Sequence, residues 1–414
     1  MNATVDTVNI PNLTDPETFV SGVPFDAFAS IREMPGLHWQ PAAIGTDHGG
    51  FWVVTRFADI LEAEANPAVF SSQRGPSWPL SNNPVSTDLS VNPLYNHLVA
   101  MDPPRHSRVR RVAAAAFGPR VVKNFEPWVR EIVTGVLDHV DGLDDFDYVT
   151  EIAQAIPSAV IAQIQGVPRS ERQFVVDKTI LTFAALASGD FEATMKNVRE
   201  VEDYYRTTLV PQKRRDPQDD MTTVILHACE RGDVTEGEMY DFLNLLQTAG
   251  YETTHTAIGQ SMRMILEDPE VAERTFRGIE ELGADKVVDE FLRLISPPMY
   301  MTRSATQDTE LGGQMIRKDD VLNLYFIAAN RDPAVFDEPD KFDPWRKETA
   351  TLAFGSGPHR CIGSALAKLE MRILFEEMTK RGFKFEQNGK PERGWSVFIN
   401  QLNSLPVARV RDAR

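Results

Sequence analysis

The chain has 414 residues, two cysteines and a formal net charge of −17. This charge argues against nucleic acid or an anionic membrane as the main partner, because both would be repelled over most of the surface. No Ser/Gly linker or low-complexity tract divides the sequence, so we expect a single domain over residues 1–414. The absence of a long apolar run, of a signal-peptide pattern and of many cysteines predicts a soluble, cytoplasmic protein with no membrane partner.

In chain order, the first element is a strand at residues 51–55, bounded by turn residues. A long loop is predicted from about 70 to 104, because prolines and Gly75 interrupt its apolar residues. Helical periodicity fills most of 105–295 and 362–380, and further strands are expected at 321–327 and 395–410. The predicted fold class is mainly α with a minor β region.

The most informative helix is predicted from about Thr235 to Glu267. Thr235 and Glu238 form a capping-box pattern at its start, and Asp268 with the proline after it ends it. A helix of this length spans roughly 45 to 50 Å. Its centre, residues 249–254, contains a glycine and two threonines, which are poor helix formers. We therefore expect a local kink or bulge there.

A glycine-punctuated loop at residues 354–363, with the sequence FGSGPHRCIG, contains Cys361 and precedes an apolar helix. Glycines let the backbone turn tightly and approach a flat ligand closely. The free amides at the start of the following helix favour a thiolate, the form that binds metals. An isolated cysteine in this position is otherwise a buried structural residue.

The pattern Phe-Gly-x-Gly-x-His-x-Cys-x-Gly resembles the haem-binding loop of the cytochrome P450 family, and the resemblance extends from about Phe51 to the C-terminus. It implies a triangular, mainly α prism with a minor β region that holds haem b, with Cys361 as the iron ligand. It also implies that Phe354, Gly355 and Gly363 contact the cofactor from the loop.

By the same resemblance, the long helix is the distal helix, which opens a groove for dioxygen above the haem at Ala249 and Gly250. Glu252 and Thr253 match the acid and alcohol that supply the protons needed to split dioxygen. His106, Arg110, Arg303 and His359 match the residues that bind the haem propionates. Arg105 occupies a position that is frequently acidic in the family.

Glu290 and Arg293 stand three residues apart on a predicted helix. Such a pair on a surface is common and contributes only about 0.2–0.5 kcal/mol. Here the resemblance implies that both join Arg346 in a buried ionic cluster with a structural role, because breaking a buried pair typically costs about 3–5 kcal/mol.

The resemblance also implies a substrate pocket above the haem. Its members are mostly apolar, which favours a compact apolar molecule such as a terpenoid or a small aromatic compound. Each of them could equally belong to the core. The predicted members are Trp78, Phe183, Leu245, Thr248, Ala249, Met299, Tyr300, Met301 and Leu402.

Two cysteines cannot bind a ferredoxin-type iron–sulfur cluster, which takes four, and no second domain remains for a flavin. The expected electron donor is therefore a ferredoxin with a separate ferredoxin reductase. A basic face, which could also be merely solvated, is predicted to dock it; its members are Arg108, Arg111, Arg120, Arg360, Lys368 and Arg372. The expected function is a haem-thiolate monooxygenase that uses dioxygen. The alternatives are a peroxygenase that uses hydrogen peroxide and a non-catalytic haem-binding or sensor protein.

Overall fold

Helices form most of the computed structural model, which describes residues 10–79, 84–187 and 190–411. The helices of the N-terminal half are α1 Glu17–Val20, α2 Phe25–Glu33, α3 Phe57–Ala65, α4 Arg105–Phe117, α5 Pro119–Lys123, α6 Glu126–Asp141, α7 Ala155–Ile164, α8 Arg172–Ala187 and α9 Phe191–Tyr204. Those that follow are α10 Val210–Arg215, α11 Met221–Glu230, α12 Glu236–Glu267, α13 Pro269–Leu282, α14 Ala284–Ile295, α15 Phe326–Ala329 and α16 Ser364–Lys380.

The strands are short and form separate small sheets. They are β1 His38–Pro41, β2 Gly50–Val54, β3 Phe70–Ser71, β4 Asp145–Asp147, β5 Met301–Ala305, β6 Thr309–Leu311, β7 Gln314–Ile316, β8 Val321–Leu324, β9 Lys384–Gln387, β10 Glu392–Arg393, β11 Leu402–Ser404 and β12 Pro406–Val410. The largest sheet has the order β1-β2-β8-β5-β3, in which only β2 and β8 are parallel. A second sheet has the order β4-β12-β9, and β6/β7 and β10/β11 form pairs. The mainly α fold class with a minor β region is confirmed.

The helix α12 begins and ends where the sequence pattern predicts. Thr235 and Glu238 form a complete capping box, in which each side chain accepts a hydrogen bond from the other residue's backbone amide. At its end, the Asp268 side chain accepts hydrogen bonds from the first amides of α13. The helix is continuous from Glu236 to Glu267, so the predicted kink at residues 249–254 does not interrupt it. Most of α12 is buried, which places it at the centre of the molecule.

Two predicted strands differ from the structure. The strand predicted at 321–327 ends at Leu324 and is followed by the buried helical turn α15. A short apolar run of this kind fits a buried strand and a buried helical turn equally well, so its periodicity does not distinguish them. In the region 395–410, only β11 and β12 are strands, and the segment before them makes a single antiparallel bridge between Ile399 and Pro298.

The long loop predicted between 70 and 104 is present in the described residues 70–79 and 84–104. It contains only β3 and one 3₁₀ turn, Leu98–Ala100. Residues 80–83, which complete the predicted loop, lie outside the described residues.

An ionic cluster links α14 to the loop that precedes the cysteine segment. Arg293 and Glu290 are both buried and form a two-fold contact at 2.7 and 2.8 Å, and Arg346 Nε lies 3.4 Å from Glu290 Oε1. Arg293 also donates to the carbonyl oxygens of Asn330, Pro339 and Lys341. The three residues named from the sequence are therefore close together and mostly desolvated, as a structural role requires.

Among the residues that the structure describes, no helix has both the length and the apolar character needed to cross a membrane.

Candidate active site

A cavity of about 240 Å³ lies between α12 and the loop that contains Cys361. Its wall is largely apolar. The polar and charged side chains that reach it are Glu64, His106, Arg110, Thr253, Thr254, Arg303, His359, Cys361 and Glu370. Large apolar cavities with a few convergent polar groups are typical of ligand sites.

The loop around Cys361 is shaped by two glycines in the left-handed region, Gly355 with φ of +63° and Gly357 with φ of +60°. A side chain at Gly357 would also clash with the carbonyl of Glu64, at the end of α3. The Cys361 amide donates to the Phe354 carbonyl oxygen at 2.8 Å, which closes the loop. Only glycine fits both the backbone angle and the space at Gly357.

The Cys361 side chain is open to the cavity although it lies deep in the protein. Burial raises the pKa of the thiol, while the amides of Gly363 and Ser364 and the guanidinium groups of Arg110 and Arg360 act in the opposite direction. The helix-start amides predicted from the sequence are therefore present. They favour the thiolate, as expected, and act against the larger effect of burial.

Four basic or imidazole side chains gather at one edge of the cavity: His106, His359, Arg110 and Arg303. The rings of His106 and His359 lie 4.0 Å apart. Both ring nitrogens of His106 and Nε2 of His359 are buried without a hydrogen-bond partner. Unsatisfied buried donors of this kind are rare and call for a ligand or water.

The electrostatics of this edge also call for an anion. The pKa of His106 is lowered to about 4 by burial and by the positive charges of Arg110 and Arg303. The pKa values of His359, Arg110 and Arg303 are likewise lowered, in each case first by burial. Carboxylates placed here would remove the repulsion between these groups and restore their charged forms.

One polar residue of this edge, Glu64 on α3, was not predicted. Its Oε1 lies 3.2 Å from Arg303, and its Oε2 accepts hydrogen bonds from the amide and hydroxyl of Ser356 at 2.6 and 2.8 Å. Burial raises the pKa of Glu64, against the effects of Arg303 and Ser356. Glu370 on α16 was missed as well; one of its carboxylate oxygens is buried without a partner. The partners of Glu64 lie far from it in sequence, so no local sequence pattern points to this residue.

The opposite wall is one face of α12, including Ala249, Gly250, Thr253 and Thr254. A Cβ at Gly250 would clash with Ile161 Cδ1 of α7, so a larger residue there would require the Ile161 side chain to move. The Thr253 hydroxyl donates to the Ala249 carbonyl oxygen, one turn earlier, at 2.9 Å. This bond holds the hydroxyl at the edge of the cavity.

Glu252 does not reach the cavity wall. Its side chain is 3% exposed, and its Oε2 has no hydrogen-bond partner. Burial raises the pKa of this carboxyl to about 8, which keeps it protonated at neutral pH.

Three predicted pocket residues line the cavity, Leu245, Ala249 and Met301, and six do not. Met299 and Tyr300 pack into a separate core cluster, and Leu402 belongs to the main core. Thr248 donates back to the Asn244 carbonyl oxygen, Trp78 donates to the Ile44 carbonyl oxygen, and Phe183 lies beside Tyr251. The apolar lining that the prediction missed comprises Pro76, Leu98, Val99, Phe242, Leu246, Pro297 and Pro298, among others.

Comparison with known proteins identifies relatives by sequence and by fold. The family model described as cytochrome P450 matches residues 180–393. A putative cytochrome P450 126 from Mycobacterium tuberculosis is 35% identical over 381 residues, which cover 89% of this chain and 90% of the relative. Linalool 8-monooxygenase from Pseudomonas putida is 28% identical over 407 residues, which cover 97% of this chain and 99% of the relative.

Among solved structures, that of CYP108D1 from Novosphingobium aromaticivorans has a TM-score of 0.84 and 29% sequence identity, and the match covers 97% of this chain and 99% of that chain. A mainly α fold in which a cysteine loop faces a long helix across one largely apolar cavity agrees with the haem-thiolate class expected from the sequence. The chain belongs to the cytochrome P450 family. The resemblance found in the sequence is thereby confirmed, and the protein is a monooxygenase of this family with a haem-thiolate cofactor.

The residues of the cavity fit this cofactor. Cys361 supplies the one thiol in the described cavity wall, and the edge formed by His106, His359, Arg110 and Arg303 offers unsatisfied donors and positive charge for two carboxylates. Apolar side chains line most of the rest of the wall, as a flat macrocycle requires.

Proposed function

We propose that this protein inserts one oxygen atom from dioxygen into a C–H or C=C bond of a small apolar substrate, using haem b and two electrons from a ferredoxin served by a separate reductase. We also propose that residues 1–414 act as a single domain. The observation that carries the proposal is the arrangement of the Cys361 thiol and the Thr253 side of α12 around one largely apolar cavity.

In this proposal, Cys361 is the iron ligand, and His106, Arg110, Arg303 and His359 hold the propionates. Phe354, Gly355 and Gly363 contact the cofactor from the loop, and Ala249 and Gly250 leave room for it below α12. When bound, haem with a thiolate ligand supplies the chemistry that cleaves dioxygen and oxidises an unactivated carbon. The remaining steps belong to the side chains of the chain itself.

Thr253 and Glu252 supply protons in this proposal. The Thr253 hydroxyl stands at the cavity edge, where it can pass a proton to a reacting oxygen or hold a water that does so. Glu252 directly precedes Thr253 on α12. Successive residues of a helix are about 100° apart around its axis, so the two side chains leave the helix on adjacent sides. A carboxyl with a pKa of about 8 carries a proton at neutral pH and can release it.

The substrate class follows from the cavity wall. Away from its charged edge, the wall is largely apolar. Phe242, Leu245 and Leu246 of α12 contribute to it, together with Pro297 and Met301. A wall of this kind favours molecules without charge and keeps bulk water from the reacting groups. Small terpenoids and aromatic compounds fit this description, and linalool, named in a relative, is a suitable probe.

The redox partner is proposed to dock beside Cys361. Of the six basic residues predicted for this face, Arg111, Arg120 and Arg360 are exposed and have no ion pair among the described residues. The other three are neutralised. Arg108 pairs with Glu238 at 2.7 Å, Lys368 with Asp289 at 2.5 Å, and Arg372 with Glu126 and Glu376 at 2.8 and 2.7 Å. The proposed docking charge therefore comes from the first three alone.

The experiment is a turnover assay of the haem-loaded protein with ferredoxin, ferredoxin reductase, a reduced nicotinamide dinucleotide as the electron source, and labelled dioxygen. Linalool and a panel of small terpenoids and aromatic compounds are first screened for a shift of the haem absorption band. Monooxygenase activity predicts one labelled oxygen atom per product molecule and dependence on the ferredoxin. Product formation from hydrogen peroxide alone, at an equal or higher rate, would favour a peroxygenase, and no product with any compound that binds would contradict the proposal.

A further inference from the structure

Two buried polar side chains of α12 face each other. Glu252 Oε2 lies 3.8 Å from His255 Nδ1, and each side chain is 3% exposed. Neither atom has a hydrogen-bond partner, and neither group forms another ion pair within residues 10–79, 84–187 and 190–411. A buried polar atom without a partner costs about 1–3 kcal/mol. Two such atoms placed side by side therefore suggest a shared role.

Within the described part of the chain, no other charged group shifts the pKa of Glu252 or His255, and only the Tyr251 backbone opposes the effect of burial on His255. The Tyr251 ring lies 5.0 Å from the His255 ring, and Phe183 of α8 lies beyond Tyr251. The helix α8 packs here, since Gln247 donates to its Thr179 hydroxyl at 3.1 Å. Its lysine, Lys178, is engaged with Glu200 of α9 at 2.5 Å. The pair must balance its charge internally.

The proton count of the pair is simple. Burial raises the pKa of Glu252 to about 8 and lowers the pKa of His255 to about 4, because it disfavours the charged form of each group. Between these values the pair holds one proton, on the carboxyl. An ion pair of carboxylate and imidazolium would hold the same single proton. Moving the proton between the two side chains therefore leaves the net charge of the buried pair unchanged, and it requires a closer approach than the present 3.8 Å or one bridging water.

We propose that His255 is a positioning residue that holds the Glu252 carboxyl, shares one proton with it, and returns a proton to it after each release towards Thr253. The destination of the proton rests on the proposed function, whereas the pairing does not. When the O–H bond of the carboxyl breaks and its proton leaves, His255 takes up one proton from water and becomes imidazolium. Its Nδ1 proton then passes to Oε2, and both groups are neutral again. One proton enters and one leaves, and no electron moves.

The pairing is tested by infrared spectroscopy of the resting, haem-loaded protein without turnover. The C=O stretch of the protonated Glu252 carboxyl is assigned by its loss in Glu252→Gln and followed against pH. In His255→Gln, which cannot exchange a proton, we expect the band to change in frequency and its titration midpoint to move. The control is His227→Gln, an exposed histidine of α11, which should leave the band unchanged. The same frequency and midpoint in wild type and His255→Gln would overturn the pairing.

The proton return is tested by the yield of product per nicotinamide consumed. His255→Gln should lower this yield several-fold, and the double variant with Glu252→Gln should lose no more than Glu252→Gln alone, since both changes interrupt one route. The proton return would be overturned by a yield in the double variant that is lower than in Glu252→Gln by the same factor as His255→Gln loses alone. It would also be overturned by an unchanged yield in His255→Gln. Should His255→Gln not fold, His255→Asn replaces it. If wild type shows no turnover, the proposed function fails, while the infrared result still decides the pairing.

Discussion

Arg105 Nε donates to Glu238 Oε1 at 2.9 Å, which ties the start of α4 to the first turn of α12. The same guanidinium donates to the Tyr95 carbonyl oxygen at 2.5 Å and to Asn96 Oδ1 at 2.8 Å, and it lies 3.7 Å above the Tyr95 ring. Glu238 is also the capping-box residue of α12. One arginine therefore joins the helix start to a loop whose next residues, Leu98 and Val99, line the cavity.

Replacing Arg105 should loosen this loop. Arg105→Ala removes one hydrogen bond to the charged Glu238 and two to the neutral acceptors of Tyr95 and Asn96, and a hydrogen bond to a charged group contributes about 1.5–3 kcal/mol. We expect a loss of unfolding free energy of this size, faster hydrogen exchange at residues 94–99, and weaker binding of apolar probes. Arg111→Ala, an exposed arginine on the same helix, serves as the control. Unchanged exchange at residues 94–99 in Arg105→Ala would show that the arginine does not hold the loop.

The ionic cluster should be essential for stability. Arg293→Met leaves Glu290 buried beside only Arg346, and breaking a buried pair typically costs about 3–5 kcal/mol. We expect a loss of this size in denaturant unfolding, or no folded protein at all. The unfolding free energy of Arg293→Lys should fall between those of the wild type and Arg293→Met, because an ammonium group keeps the charge but cannot reproduce the donor pattern of a guanidinium.

The control for the cluster is Lys196→Met. Lys196 is 69% exposed and lies 4.0 Å from Glu200, and exposed pairs contribute about 0–1 kcal/mol. Equal stability losses in Arg293→Met and Lys196→Met would refute a structural role for the cluster.

Thr253→Ala should separate electron use from product formation. Positioned acid–base groups contribute about 10²–10⁴-fold to proton transfer. We therefore expect nicotinamide consumption to continue while hydrogen peroxide replaces product, with a product yield at least about tenfold lower. The control is Thr207→Ala, since Thr207 makes a similar bond to the Asp203 carbonyl oxygen on an exposed helix surface. A product yield that stays at the wild-type level in Thr253→Ala would argue against proton supply by this hydroxyl.

Charge reversal should identify the docking face. Arg111→Glu and Arg120→Glu should slow reduction by the ferredoxin and leave reduction by dithionite unaltered. Added salt should also slow the natural reaction, since charges are screened over about 8 Å at physiological ionic strength. Arg199→Glu, an exposed arginine of α9, is the control. Arg372 is a poor probe because it is engaged with three acidic residues. If neither charge reversal nor salt changes the rate of reduction by the ferredoxin, the docking site lies elsewhere.

The sequence predicts the site best where function and local structure share one stretch of chain. The loop at 354–363 and the bounds of α12 follow from glycines and caps that act on their own neighbours. Glu64 has no such signal, because its partners Arg303 and Ser356 come from distant parts of the chain. The pocket wall is also hard to predict. Met301 reaches the cavity, whereas the adjacent Tyr300 turns into the core against Tyr325 and Phe398.

The absorption of the reduced carbon monoxide complex tests most directly whether Cys361 is the iron ligand. A thiolate ligand predicts a band far to the red of that of a histidine-ligated haem. Cys361→His should lose this band while keeping bound haem, and Cys229→Ser, which changes the other cysteine, should retain it. Survival of the red-shifted band in Cys361→His would contradict the assignment.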